Sequence, residues 1–289
     1  MIPSAFAYHS PTSVDEAIGL LGSLGDDAKL LAGGHSLIPI MKLRLAAPEH
    51  LIDLGRVQGL SYIREEGGGL AIGAMTTHSA VADSALVRSK AAALAEAAAS
   101  IGDVQVRNRG TIGGSAAHAD PGADLPGALL VLNAELVARG PGGTRTIAAA
   151  DFFTGLLSTA LEANEVLTEI RVPALPAHSA STYLKLANQA SGYAIVGIAA
   201  VVSLNGGAVA DCRVGISGVA ETASRATATE QALRGQQASA AAVKAAAQQA
   251  SAGVEALGDI HASADYRTHL VRVYAERALN AAIERARSA

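Results

Sequence analysis

Apolar positions near the start of the chain follow two periods in turn. Ser13-Val14-Asp15-Glu16 has the form of a capping box, and Val14, Ala17, Ile18 and Leu21 then recur on one helical face. A short strand-like run, 29–32, leads into Gly33-Gly34-His35-Ser36, and a second run follows at 50–54. Runs at 61–66 and 70–74 flank Gly67-Gly68-Gly69 and predict a hairpin. Residues 84–100 predict one alanine-rich helix with Leu86 and Leu94 turned to the core. A second glycine turn, 110–115, precedes a short helix over 126–133 and strands over 135–139 and 166–172.

The texture changes after Pro173-Ala174-Leu175-Pro176, where two prolines disfavour regular structure on either side. Three strand-like runs, 182–187, 194–204 and 208–216, come before three helical ones, 221–233, 240–257 and 264–287. Strands followed by a run of helices predict an α+β unit, an antiparallel sheet with helices on one face. The boundary falls at 177/178.

Composition narrows the function. Half of the 289 residues are hydrophobic, but much of that is alanine, and no apolar run approaches the length of a membrane span. The N-terminus has neither the basic region nor the apolar stretch of a signal peptide, so a cytoplasmic location is expected. A net charge of −4, 3% aromatics and no Trp argue against nucleic acid. The single cysteine, Cys212, excludes a disulfide within the chain and a Cys-ligated zinc or iron–sulfur site, and its strand-like setting predicts a structural thiol. The histidines show no metal-ligand spacing. Any redox group here is therefore organic.

The chemistry-bearing features are two strand-then-glycine turns, Ala32-Gly33-Gly34-His35-Ser36 and Gly110-Thr111-Ile112-Gly113-Gly114-Ser115. Glycine lets backbone N–H groups approach an anion closely, and Ser36, Thr111 and Ser115 add hydroxyls. Neither turn matches a Walker A or G-x-G-x-x-G pattern. On residue chemistry alone, two ordinary tight turns and a shared diphosphate cradle both remain open.

The first turn, continued through Leu37-Ile38-Pro39-Ile40-Met41-Lys42-Leu43-Arg44-Leu45, resembles the first FAD loop of the flavoprotein subunits of molybdenum hydroxylases, the xanthine dehydrogenase and aerobic carbon monoxide dehydrogenase family. The second turn, followed by Asp120-Pro121-Gly122-Ala123-Asp124-Leu125-Pro126, resembles their second. The resemblance covers nearly the whole chain and is nearest to the carbon monoxide dehydrogenase branch, especially over 1–54. It departs at Ser115, where the family usually has Asn, at His118-Ala119-Asp120-Pro121, and at Asn188-Gln189-Ala190-Ser191-Gly192.

The resemblance implies a vanillyl-alcohol-oxidase (PCMH) type fold: two α/β subdomains, 1–57 and 58–177, clasping FAD, and a C-terminal α+β domain, 178–289, with a three-stranded antiparallel sheet. It implies that Lys29, Leu30, Leu31, Ala32, Gly33, Gly34, His35 and Ser36 hold the diphosphate and ribityl end, completed by Gly110, Thr111, Ile112, Gly113, Gly114 and Ser115. Ile101 falls at an FAD contact, Leu167 at the adenine end, and Lys185 and Tyr193 near the flavin. Asp124 matches an acidic residue bonding a cofactor hydroxyl, although a helix cap before Pro126 fits Asp124 too. No residue is expected to act as a catalytic acid or base. The implied partners are a molybdenum-cofactor large subunit and a [2Fe-2S] small subunit in a dimer of heterotrimers, a heterohexamer that admits peripheral association with a membrane. A self-sufficient flavoenzyme of the same fold is the rival reading, and it would need an acid–base pair over the flavin that the sequence does not offer.

Overall fold

The computed structural model describes residues 2–289. The first unit runs β1 (Ala7–His9), α1 (Val14–Leu24), β2 (Ala28–Leu31), α2 (Leu37–Lys42) and β3 (His50–Asp53), with a parallel three-stranded sheet in the order β1-β3-β2. Its first helix starts where the capping pattern places it. Ser13 Oγ accepts from Glu16 N at 3.2 Å, while the Glu16 carboxylate accepts from Thr12 N at 2.8 Å, one residue earlier than a reciprocal box requires. Ala17, Ile18 and Leu21 are buried against Ile52, Leu54 and Leu60.

The second unit begins with the expected hairpin, β4 (Ile63–Glu66) and β5 (Gly69–Gly73). Six helices follow: α3 (His78–Asp83), α4 (Ala85–Lys90), α5 (Ala92–Ser100), α6 (Val104–Arg109), α7 (Ile112–His118) and α8 (Leu125–Val131). Then come β6 (Glu135–Gly140), β7 (Gly143–Ala148), α9 (Ala149–Phe152), the small hairpin β8 (Phe153–Gly155) with β9 (Ser158–Thr159), and β10 (Val166–Val172). The five-stranded sheet has the order β4-β5-β10-β6-β7 and is antiparallel throughout.

The expected single helix over 84–100 is two helices, broken at Ala91 (φ −147°, ψ 59°). The cause lies far along the chain. Ser181 Oγ accepts from Ala93 N at 3.0 Å and so caps the new helix start, and Glu96 accepts from Thr182 Oγ1 and Tyr183 N. These bonds join α5 to the C-terminal unit.

That unit holds β11 (Ser179–Ala187), β12 (Ala194–Asn205), β13 (Ala208–Ser217), β14 (Ser224–Arg225), α10 (Thr227–Leu233), α11 (Ala240–Ala247) and α12 (Ala264–Arg287). The antiparallel sheet is four-stranded, in the order β11-β12-β13-β14, not three-stranded as expected. The extra strand comes from the segment expected to open a helix at 221: Ser224 and Arg225 pair with Ile216 and Gly215, so α10 starts only at Thr227. Helix α11 also stops earlier than its alanine pattern suggests. Cys212 is fully buried on β13, and burial pushes its thiol up to about 12, consistent with a structural residue. No described helix is long and apolar enough to cross a membrane.

Candidate functional site

The carboxyl end of β2 delivers the chain to Gly33 and Gly34, and Gly34 takes the left-handed conformation (φ +76°) that turns it into α2. Gly33 lies against the end of α6, where a Cβ would come within 2.7 Å of Gly110 Cα and would overlap Arg109 O. Among the described residues, nothing accepts from the amides of Gly33, Gly34, His35 and Ser36. Four consecutive unsatisfied donors before a helix are the arrangement that receives an anion.

The second turn is built differently from expectation. Thr111 is the N-cap of α7, and its amides are used inside the protein: Ile112 N donates to Thr76 O, Gly113 N to Ala74 O, Gly114 N to Thr111 Oγ1 and Ser115 N to Thr111 O. It does not offer the amide cradle the sequence suggested. Its glycines permit close approach instead: a Cβ on Gly113 would lie 2.7 Å from Ala74 O, and one on Gly114 would lie 3.4 Å from Ala32 Cβ on the first turn. The turns therefore meet. Thr111 and Ser115 both line the cavity at this seam, the Thr111 hydroxyl accepting from Gly114 N.

A cavity of about 410 Å³ opens along this seam, within the range of small-molecule sites. All but three of the expected positions line it. Lys29, Leu30 and Ala32 to Ser36 form one wall, and Gly110, Thr111 and Gly113 to Ser115 form the facing one. Ile101, Asp124, Leu167 and Tyr193 complete the lining. Leu31 alternates away from Leu30 along the strand, and its Cδ1 sits 3.3 Å from where a Gly34 Cβ would be. Ile112 is fully buried in the main core.

Lys185 lies behind the wall. Its ammonium donates to Asp124 Oδ2 at 2.9 Å, Ser100 O at 2.7 Å and Gly192 O at 2.7 Å. An ammonium has three donors, so none remains for a cofactor. The expected flavin contact is instead a staple joining the residues next to Ile101 and Tyr193. Asp124 makes no side-chain cap bond to α8, so the capping alternative fails. Its other oxygen accepts from Tyr183 Oη at 2.5 Å. Burial pushes the Asp124 carboxyl up, and the Lys185 ammonium and Tyr183 hydroxyl oppose that shift.

Tyr193 is 44% exposed at the rim, and burial of its hydroxyl beside Asp120 pushes it up to about 12. Glu165 also faces the cavity, but Arg145 holds its carboxylate at 2.6 Å and below the usual range. Of the three carboxylates in the lining, Asp124 and Glu165 are neutralised by Lys185 and Arg145, Asp120 has no cationic partner among the described residues, and Lys29 adds a positive charge. The residues present fit FAD: one turn of open amides, a facing turn of glycines that a Cβ would obstruct, and a long apolar flank. The described residues include no group of three or more His, Cys, Asp or Glu placed to hold a metal.

Sequence reasoning missed His78. Burial lowers its imidazole to about 4, with His35 adding to the shift, and it lines the cavity because Thr77 pairs with Thr111 across the fold. No local pattern marks that pairing.

Comparison with known proteins agrees with this geometry. Residues 4–175 match the family described as the FAD binding domain in molybdopterin dehydrogenase, and 181–282 match the CO dehydrogenase flavoprotein C-terminal domain. The chain is 48% identical over 282 residues to the carbon monoxide dehydrogenase medium chain of Hydrogenophaga pseudoflava, covering 98% of each. It is 41% identical over 288 residues to that of Afipia carboxidovorans, covering 100% of each. Among solved structures it superposes with TM-score 0.96 at 50% identity on a chain of the Hydrogenophaga pseudoflava carbon monoxide dehydrogenase lacking the Mo-pyranopterin moiety, covering 99% of both. Near-complete coverage by both family models, joined to a cavity walled by the two glycine turns, places this chain in the family of FAD-binding flavoprotein subunits of molybdenum hydroxylases.

Proposed function

We propose that this chain is the electron-relay subunit of a carbon monoxide dehydrogenase-like complex. It would take electrons from a [2Fe-2S] small subunit, fed by a molybdenum-cofactor large subunit, and pass them to an external acceptor from the cytoplasm. A dimer of heterotrimers is the assembly this reading carries. The observation behind it is the row of open amides from Gly33 to Ser36 facing the glycine turn at Gly113 and Gly114 across one cavity. Bound there, FAD would supply a group able to take electrons singly and release them as a pair.

The chain's own residues bind and orient. In this reading the amides of Gly33 to Ser36, with the Thr111 and Ser115 hydroxyls, receive the diphosphate, and Ile101, Leu167 and Tyr193 supply the apolar and aromatic flank. Asp124 and Lys185 hold two of those walls in register. The 1–177 unit, in subdomains 1–57 and 58–177, would be the cofactor-binding domain and 178–289 the domain that closes the site.

The test is made on the native complex. Purification should yield FAD at one per copy of this chain, and addition of carbon monoxide should bleach the flavin absorbance after the iron–sulfur bands. Absence of flavin from the complex would overturn the assignment. A flavin that stays oxidised while the clusters are reduced would overturn the relay role.

A further inference from the structure

The imidazole of His78 sits at the junction of the two glycine turns. His78 opens α3, and its backbone N donates to Gly110 O at 2.9 Å. The ring lies over Gly110: a Cβ there would be 2.7 Å from Cδ2 and 2.8 Å from Nε2. Gly110 in turn backs onto Gly33. His78, Gly110 and Gly33 thus form three layers through the seam. With the residue only 4% exposed, little but the cavity reaches it.

The two ring nitrogens differ. Nδ1 is sealed from solvent and has no hydrogen-bond partner among the described residues. A sealed N–H without an acceptor is rarer and costlier than an unpaired acceptor, so Nδ1 carries the lone pair and the proton sits on Nε2. Nε2 is not sealed in this way, no described residue bonds it, and His78 is among the residues that line the cavity. His35 has the opposite arrangement, with Nδ1 3.0 Å from Gly33 O, a carbonyl to which it can only donate. The depressed basicity of His78 agrees with a neutral ring at physiological pH.

We propose that His78 is a cofactor-binding residue: its neutral imidazole donates from Nε2 into the seam, to an acceptor oxygen on the diphosphate–ribityl chain of FAD. This rests on the FAD reading above and adds a donor outside both glycine turns. A neutral donor suits the place, because it fixes an anionic chain without exchanging a proton each time the cofactor binds.

The experiment uses the complex freed of flavin and titrated with FAD. His78→Phe keeps the ring over Gly110 but removes the donor, and should weaken FAD binding about 10- to 100-fold, as loss of a hydrogen bond to a charged group does. His78→Gln restores an amide N–H and should bind within about 3-fold of wild type. In the flavin-free full-length chain, ¹⁵N-histidine spectra should show the Nε2–H tautomer for His78. Equal FAD affinity in wild type and His78→Phe, or an Nδ1–H tautomer, would overturn the proposal while leaving the FAD reading intact. Failure of the wild-type complex to bind FAD would overturn both. Should His78→Phe prove unfolded, the tautomer and the His78→Gln affinity decide the matter.

Discussion

Gly33 and Gly110 touch: the Cα of Gly110 lies 2.7 Å from the position a Cβ on Gly33 would occupy. This contact draws together two turns separated by more than seventy residues, and no side chain fits between the two backbones where they meet.

Gly33→Ala is therefore expected to push the first turn off α6. Overpacking of this kind costs about 1–3 kcal/mol, and FAD affinity should fall with it because the open amides move. Gly22, on the exposed side of α1 with nothing within 4 Å of its Cβ position, is the matched control, and Gly22→Ala should stabilise by about 1 kcal/mol. Urea melts and flavin titration of both variants give the comparison. An unaffected Gly33→Ala would mean that the turns are not in fixed contact.

The Asp124–Lys185 pair carries a second prediction. Both side chains are almost sealed, 4% and 6% exposed, so removing one charge strands the other. Lys185→Met should cost about 3–5 kcal/mol, and the double variant with Asp124→Asn should cost less than Lys185→Met alone. The double-mutant cycle by chemical denaturation measures the difference. If the double variant were the less stable of the two, the pair would not be the unit described here.

A third prediction concerns acid. The His78 imidazole falls from 6.5 to about 4 on folding, so the unfolded chain binds more protons between those values. The contribution is complete above pH 6.5 and is lost as pH drops toward 4, amounting to about 3 kcal/mol at roughly 1.4 kcal/mol per pH unit. His78→Gln should flatten this part of the stability profile. Identical pH dependence in wild type and variant, followed by thermal unfolding at fixed ionic strength, would show that His78 titrates normally.

Much of the architecture was legible in the chain. The start of α1 follows from Ser13 and Glu16, the β4–β5 hairpin from three glycines, and the C-terminal order of strands then helices from its apolar runs, because each depends on neighbours a few residues away. The glycine turns were equally visible, and the resemblance they carried pointed to FAD. Local pattern misjudged the elements that distant partners decide. Ala91 has no helix-breaking character, yet Ser181 caps the helix after it. Ser224 and Arg225 become a strand because β13 offers them an edge.

Within the site the same division holds. The sequence by itself determined which turns could admit a diphosphate, since only glycine leaves that space. Tertiary structure decided which turn keeps its amides free, that Lys185 has no donor left over, and that His78 faces the seam. Each of these depends on where hydrogen-bond partners from remote segments arrive, and a buried polar group takes whatever partner the fold brings within about 3 Å.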